Sequence, residues 1–296
     1  MRKPYAKLHL AVFLGGFTGV LGKLILLPEG PLVWWRMCIA SVLFSAYLRF
    51  RGQLPRIRLC DALKICGVGA LTAIHWLFFY GSIKYSNVSI GVVCLALSGF
   101  FTAILEPLFN KKPPSWRELS FGLASVLGIG LMFHFDSHFR TGIILGVFSA
   151  AFAALLAIGI KSAGKKQRPD DILLFQMLGG FAFLTLTAPL YLTFFPQAQL
   201  LPQGSAFLYL LLMSSVCTIG LFLLEIQALQ NISAFTVNLT YNLEPVYSII
   251  LAILFLGEAS ELGWPFFTGL ALICASVLLQ TLCAMRQTGS ISGKAH

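Results

Sequence analysis

The 296-residue chain is 57% apolar and only 11% charged, with a mean hydropathy of +0.84. A soluble domain carries about 25% charged residues, so a soluble enzyme or scaffold is excluded and a polytopic membrane protein is expected. The formal charge of +10 does not point to nucleic acid, because the basic residues fall between hydrophobic runs rather than along one face.

At roughly 20 residues per crossing, the apolar runs predict ten spans: 8–26, 31–49, 62–82, 88–109, 116–135, 141–161, 171–194, 205–228, 233–256 and 264–284. The basic start and apolar run at the N-terminus resemble a signal peptide. No A-x-A site follows and many more spans do, so this run reads as the first helix. It carries Gly15 and Gly19 in G-x-x-x-G spacing, a pattern that lets helices pack closely. Span two opens on Trp34 and Trp35, the type of residue that anchors at a bilayer interface. Arg36 follows them, and either snorkels to the surface or meets an anion or carboxylate inside. Span three holds His75, Trp76 and Tyr80. A histidine at that depth must be hydrogen-bonded, bind substrate or titrate.

Span four ends with Glu106-Pro107 near Lys111 and Lys112, which can pair with the carboxylate at the interface. The loop His134-Phe-Asp-Ser-His138 has metal-capable side chains but no further ligand cluster, so no metal is expected. Span six repeats the small-residue face at Gly142 and Gly146. Gln176, Glu225, Gln227 and Gln230 come near cytoplasmic span ends and read as the lining of a solvated vestibule. The seven cysteines form no C-x-x-C pair, no phosphate-binding glycine loop is present, and no nucleophile–base pairing is legible. No catalytic residue and no cofactor is expected.

Charge gives the orientation. Cations cluster at 2–7, 49–58, 111–117, 161–168 and 286–294, whereas the alternate loops carry only Lys23, Lys84 and Arg140. By the positive-inside rule both termini are cytoplasmic.

The stretch from Thr236 to Glu258 is the least ordinary. It is long enough to cross a bilayer, yet Asn238, Tyr241, Asn242, Glu244 and Pro245 lie near its middle. A carboxylate at membrane depth costs about 2.5–3.5 kcal/mol on insertion scales and marks a cavity, a partner or a substrate path. Pro245 cannot donate to the Tyr241 carbonyl, which leaves an acceptor free. Asn238, Tyr241, Asn242 and Pro245 share one face of the helical wheel, with Glu244 beside it.

Asn87-Val-Ser before one apolar span recurs as Asn231-Ile-Ser before another, and Phe121-Gly-Leu-Ala is echoed by Thr268-Gly-Leu-Ala. Five spans per repeat force the halves into opposite orientations, the arrangement of many secondary transporters. The segment Asn242-Leu-Glu-Pro-Val-Tyr-Ser through Leu256-Gly-Glu258, with Gly269-Leu-Ala-Leu-Ile and Arg36, resembles the EamA branch of the drug/metabolite transporter superfamily. Ser98-Gly99 and Lys111-Lys112 depart from that pattern in the first repeat.

The resemblance implies an all-α integral membrane protein of the cell inner membrane. It has two inverted five-helix repeats, 1–138 and 139–286, and a short tail at 287–296. It further implies a secondary transporter that exports small metabolites such as amino acids by alternating access, and relatives carry nucleotide sugars. The expected substrate site comprises Asn238, Tyr241, Asn242, Glu244, His75, Trp76, Tyr80 and Arg36. Burial disfavours a charged carboxylate, so Glu244 is the candidate for binding a proton or a cationic amine. The expected partners are a small-molecule substrate and the lipid bilayer, with a homodimer left open. An integral membrane enzyme, or a lipid or nucleotide-sugar flippase, is the alternative.

Overall fold

The computed structural model describes residues 2–53, 55, 57–111, 113, 116–135, 137–164, 167–229, 241 and 243–275. The readings made above at Lys112, Asp136, Lys165, Lys166, Gln230, Asn231, Asn238, Asn242 and the 276–296 segment lie outside them.

The described chain is helical and holds no strand. Where no water can satisfy them, backbone N–H and C=O groups must bond within their own helix. The helices are α1 (Arg2–Leu24), α2 (Glu29–Phe50), α3 (Leu59–Tyr85), α4 (Val88–Cys94), α5 (Leu97–Asn110) and α6 (Trp116–Phe135). They continue as α7 (Arg140–Gly164), α8 (Pro169–Phe194), α9 (Ala206–Ser214), α10 (Leu221–Leu229), α11 (Glu244–Leu256) and α12 (Trp264–Ala275). Among the described residues seven stretches are long and apolar enough to cross a membrane, and α11 and α12 are shorter apolar helices. The outer surface is apolar: Leu26, Leu186, Phe194 and Leu254 are all largely exposed. That surface suits lipid and would be a liability in water.

Two predicted spans are interrupted. The fourth breaks between α4 and α5, where the amides of Leu95, Ala96 and Ser98 reach back only three residues, to Val92, Val93 and Leu95. This is one tight turn set into a helix. Neither proline nor glycine occupies the break. The eighth widens into a π-turn at Ser215–Gly220 between α9 and α10. There the Thr218 hydroxyl donates to the Met213 carbonyl five residues back, at 2.9 Å.

Packing relies on bare backbone. Helix α3 lies between α7 and α8. A Cβ on Gly179 would overlap the Cys66 backbone, and one on Gly69 would overlap the Gln176 carbonyl. Small residues of this kind let two helices approach until main chains touch. The same approach overturns the vestibule reading of Gln176: its side chain is 2% exposed and donates from Nε2 to Thr72 Oγ1 at 2.9 Å. On the far side α1 rests on α10 and α11. Gly16 meets Tyr247 and Ser248, whose hydroxyl donates to the Gly16 carbonyl at 3.3 Å.

At the end carrying the turns after α1, α3 and α11, charged groups close helix termini. Lys23 donates to the carbonyls of Ile83 and Ser86 at 3.2 and 2.9 Å, and Lys84 donates in return to Ile25. Ammonium groups at helix C-termini satisfy orphan carbonyls and oppose the helix dipole. The Glu258 carboxylate, 2% exposed, accepts from the amides of Val88 and Ser89 at 2.7 and 2.9 Å and from Ser89 Oγ at 2.7 Å. Asn87 completes that cap by accepting from the Ile90 amide at 3.0 Å. Glu258 can arrive because Gly257 takes the left-handed conformation, φ 69°, which stops α11 and turns the chain.

Candidate substrate site in the bundle

Arg36 does not snorkel. It is 3% exposed, and its guanidinium lies among groups from α3 and the π-turn. Nε donates to Thr218 Oγ1 at 2.9 Å, Nη1 donates to the Tyr80 hydroxyl, and Nη2 donates to the Cys217 carbonyl at 3.3 Å. The guanidinium carbon sits 3.7 Å from the centre of the Trp76 ring, a cation–π stack. The π-turn supplies two of these partners. The Leu221 amide bonds to Val216 and Thr218 and not to the Cys217 carbonyl, which accepts from Arg36 Nη2. π-turns of this type recur at functional sites.

A guanidinium offers five N–H donors, so two remain uncommitted among the described residues. Arg36 makes no ion pair there either. Planar, weakly hydrated and permanently charged, it is suited to a carboxylate or another oxyanion.

Trp76 and Tyr80 of α3 thus both meet Arg36. Tyr80 is completely buried; it accepts from Arg36 and donates weakly to Met213 Sδ at 3.7 Å. His75 is held differently. Its Nδ1 lies 2.9 Å from the Ser149 carbonyl and 3.0 Å from the Ser149 hydroxyl, and its ring stacks on Phe79. It therefore ties α3 to α7, which is the hydrogen-bonded role among those its depth allowed.

Glu244 begins α11 and faces α1. Its Oε1 lies 3.0 Å from where a Cβ on Gly15 would stand, so the glycine makes room for the carboxylate. Glu244 feels the charge of Arg36 and also that of Glu225, from α10. Tyr241 packs on Leu8 and Val12 of α1. Its buried hydroxyl faces the Glu225 carboxylate without closing a hydrogen bond of ordinary geometry. Glu225 itself is half-buried on α10, on the side of Tyr241. A carboxylate one turn from a span end gives no sign of which neighbour it meets. Asn238 and Asn242 lie outside the described residues. Among those residues no three His, Cys, Asp or Glu side chains come together as a metal site.

Comparison with known proteins agrees with this architecture. The model of the EamA-like transporter family matches residues 4–134 and 140–282. An uncharacterized transporter of Haemophilus influenzae is 30% identical over 166 residues, which is 52% of this chain and 54% of that protein. Another, from Schizosaccharomyces pombe, is 25% identical over 262 residues, 84% of this chain and 65% of its own length. The chain thus spans between about half and two thirds of these curated relatives. A crystal structure superposes with a TM-score of 0.63, covering 96% of this chain and 99% of the other, at 15% identity. That last likeness is one of fold.

Proposed function

The chain belongs to the EamA-like transporter family, and from that premise we propose that it is a secondary transporter exporting small amino-bearing carboxylic acids, such as amino acids, across the cell inner membrane. A transporter rather than an enzyme is what the family and the relatives' names indicate. Ten spans in two inverted halves, 1–138 and 139–286, with both termini cytoplasmic, complete the proposal. Its support lies in the pairing of helices. α1 packs on α10 and α11, just as α7 packs on α3 and α4, so contacts made by the first half are answered by the second.

The observation that carries the substrate class is the juxtaposition of Arg36 with Glu244. Arg36 is a buried cation with two unused donors, and the half-buried Glu244 carboxylate, which has no ion pair among the described residues, lies within the field of that cation. A zwitterion brings a carboxylate for the first and an ammonium for the second, and so removes two desolvation costs at once. Alternating access would move α1, α10 and α11 against the α3–α7–α8 unit, whose main-chain contacts at Gly69 and Gly179 make it stiff.

The test is ligand-induced thermal stabilisation of the detergent-purified protein, since a ligand that binds only the folded state raises its melting temperature. An amino acid should stabilise the wild type, while its decarboxylated amine should fail to do so. Both Arg36→Gln and Glu244→Gln should abolish the shift. Equal stabilisation of Arg36→Gln and wild type would remove the carboxylate from the proposal.

A further inference from the structure

Where α2 begins beside the ends of α3 and α8, an open cavity of about 410 Å³ is lined by Glu29, Tyr85, Tyr191 and Phe195, together with Pro28 and Pro196. It lies apart from the Arg36 site, about 10 Å back along α2 at 1.5 Å per residue. We propose that this cavity is a second binding site, one for an organic ammonium cation, with Glu29 as its counter-charge and Tyr85, Tyr191 and Phe195 as its aromatic walls.

The walls are fixed by the backbone. Tyr191 and Phe195 stand one helical turn apart, and the Phe195 amide donates to the Tyr191 carbonyl at 3.0 Å. Their rings therefore stay side by side, with centroids 4.8 Å apart. The Tyr191 ring also lies against bare backbone of α2, since a Cβ on Gly30 would stand 2.6 Å from its Cζ. Tyr85, the last residue of α3, brings the third ring. Pro28 and Pro196, whose rings lock φ, hold the turns that carry Glu29 and Phe195. A preformed wall spares a ligand the cost of ordering it.

Glu29 lies in the first turn of α2, where an acid suits the helix dipole. That placement leaves its carboxylate with spare acceptors. Among the described residues it accepts from the Tyr191 hydroxyl alone, over a long 3.5 Å, and makes no ion pair. Lys23 and Lys84, at the same end of the bundle, are engaged elsewhere, donating to the carbonyls of Ile83, Ser86 and Ile25.

The chemistry of the lining selects the ligand. An anion would meet the Glu29 charge and the negative faces of the rings. A calcium or magnesium ion takes about six to eight oxygen ligands, and no three acidic, His or Cys side chains gather among the described residues. An alkylammonium group satisfies both halves of the site. Its charge pairs with the carboxylate, and its weakly hydrated alkyl groups lie on aromatic faces, as in the cages that hold quaternary ammonium ligands. The cavity's volume is within the range of small-molecule sites.

Nothing in this site depends on what the chain transports, and a simple cation tests it. The full-length protein in nonionic detergent is titrated with tetramethylammonium chloride, against sodium chloride at equal ionic strength, and its melting temperature is followed. Tetramethylammonium should stabilise the wild type and sodium should not. The concentration giving half the maximal shift should rise about tenfold in Glu29→Gln, which keeps the shape and removes the charge. In Tyr85→Leu it should rise about threefold. Tyr85 is 51% exposed, so its truncation leaves the fold intact and decides the question should Glu29→Gln fail to fold. No stabilisation of the wild type beyond sodium, or an unmoved midpoint in either folded variant, overturns the site. So does loss of the effect in Glu244→Gln with retention in Glu29→Gln, which would place the cation in the middle of the bundle.

Discussion

Glu244 and Glu258 bracket the same helix, α11, about 20 Å apart at 1.5 Å per residue, and they are held in opposite ways. Glu258 accepts three hydrogen bonds within 2.9 Å, two of them from amides at the start of α4. Glu244 has Gly15 opposite and lies in the fields of both Glu225 and Arg36. The first carboxylate completes a helix terminus and fastens the second half of the chain to the first. The second has no hydrogen bond or ion pair among the described residues. A buried carboxylate whose acceptors are all hydrogen-bonded serves the structure; a half-buried one left without a partner is available to a ligand.

The largest effect should come from Glu258→Ala. Removing the acceptor strands two buried amides and a hydroxyl, and should cost about 3 kcal/mol or more of stability. The measurement is thermal unfolding in detergent. Glu244→Gln should move the same transition by less than about 1 kcal/mol, because an amide replaces an uncompensated acid. If the two substitutions destabilise equally, the contrast between a paired and an unpaired carboxylate fails.

Glycine contacts sharpen the same comparison at lower amplitude. Gly69→Ala puts a methyl into the Gln176 main chain, which cannot yield without separating α3 from α8, so a loss of about 1–3 kcal/mol is expected. Gly15→Ala meets only the end of the flexible Glu244 side chain. Its effect on unfolding should be smallest, below about 1 kcal/mol, yet transport should slow because the carboxylate is pushed from its seat. Transport at the wild-type rate in Gly15→Ala would place the working position of Glu244 elsewhere.

Much of this was legible in the chain itself, because length and apolarity suffice to read a membrane helix. The second, seventh and eighth spans begin and end within three residues of their predicted limits. Arg36, Trp76 and Tyr80 were legible as well, since charged and polar residues are costly in lipid and stand out for that reason. Four features were not. The break after Cys94 has no proline or glycine, so no backbone signal precedes it. Gln176 read as a vestibule residue because depth alone does not say which helix stands opposite; the glycines that bring α8 onto α3 decide it. The role of Glu258 depends on amides about 170 positions away in sequence. The π-turn that carries the Cys217 carbonyl follows from a Thr218 hydroxyl whose competition with the helix ladder is visible only in three dimensions.

The most direct test of the central claim is substrate exchange in liposomes. Purified protein is reconstituted with unlabelled amino acids inside, and uptake of the labelled compound is followed for wild type, Glu244→Gln and Glu258→Gln, with each variant's folded fraction measured alongside. Wild type should exchange at least one amino acid. Glu244→Gln should be folded and inactive, and whatever Glu258→Gln retains should scale with its folded fraction. Full exchange by folded Glu244→Gln would contradict the assignment of that carboxylate to the substrate site.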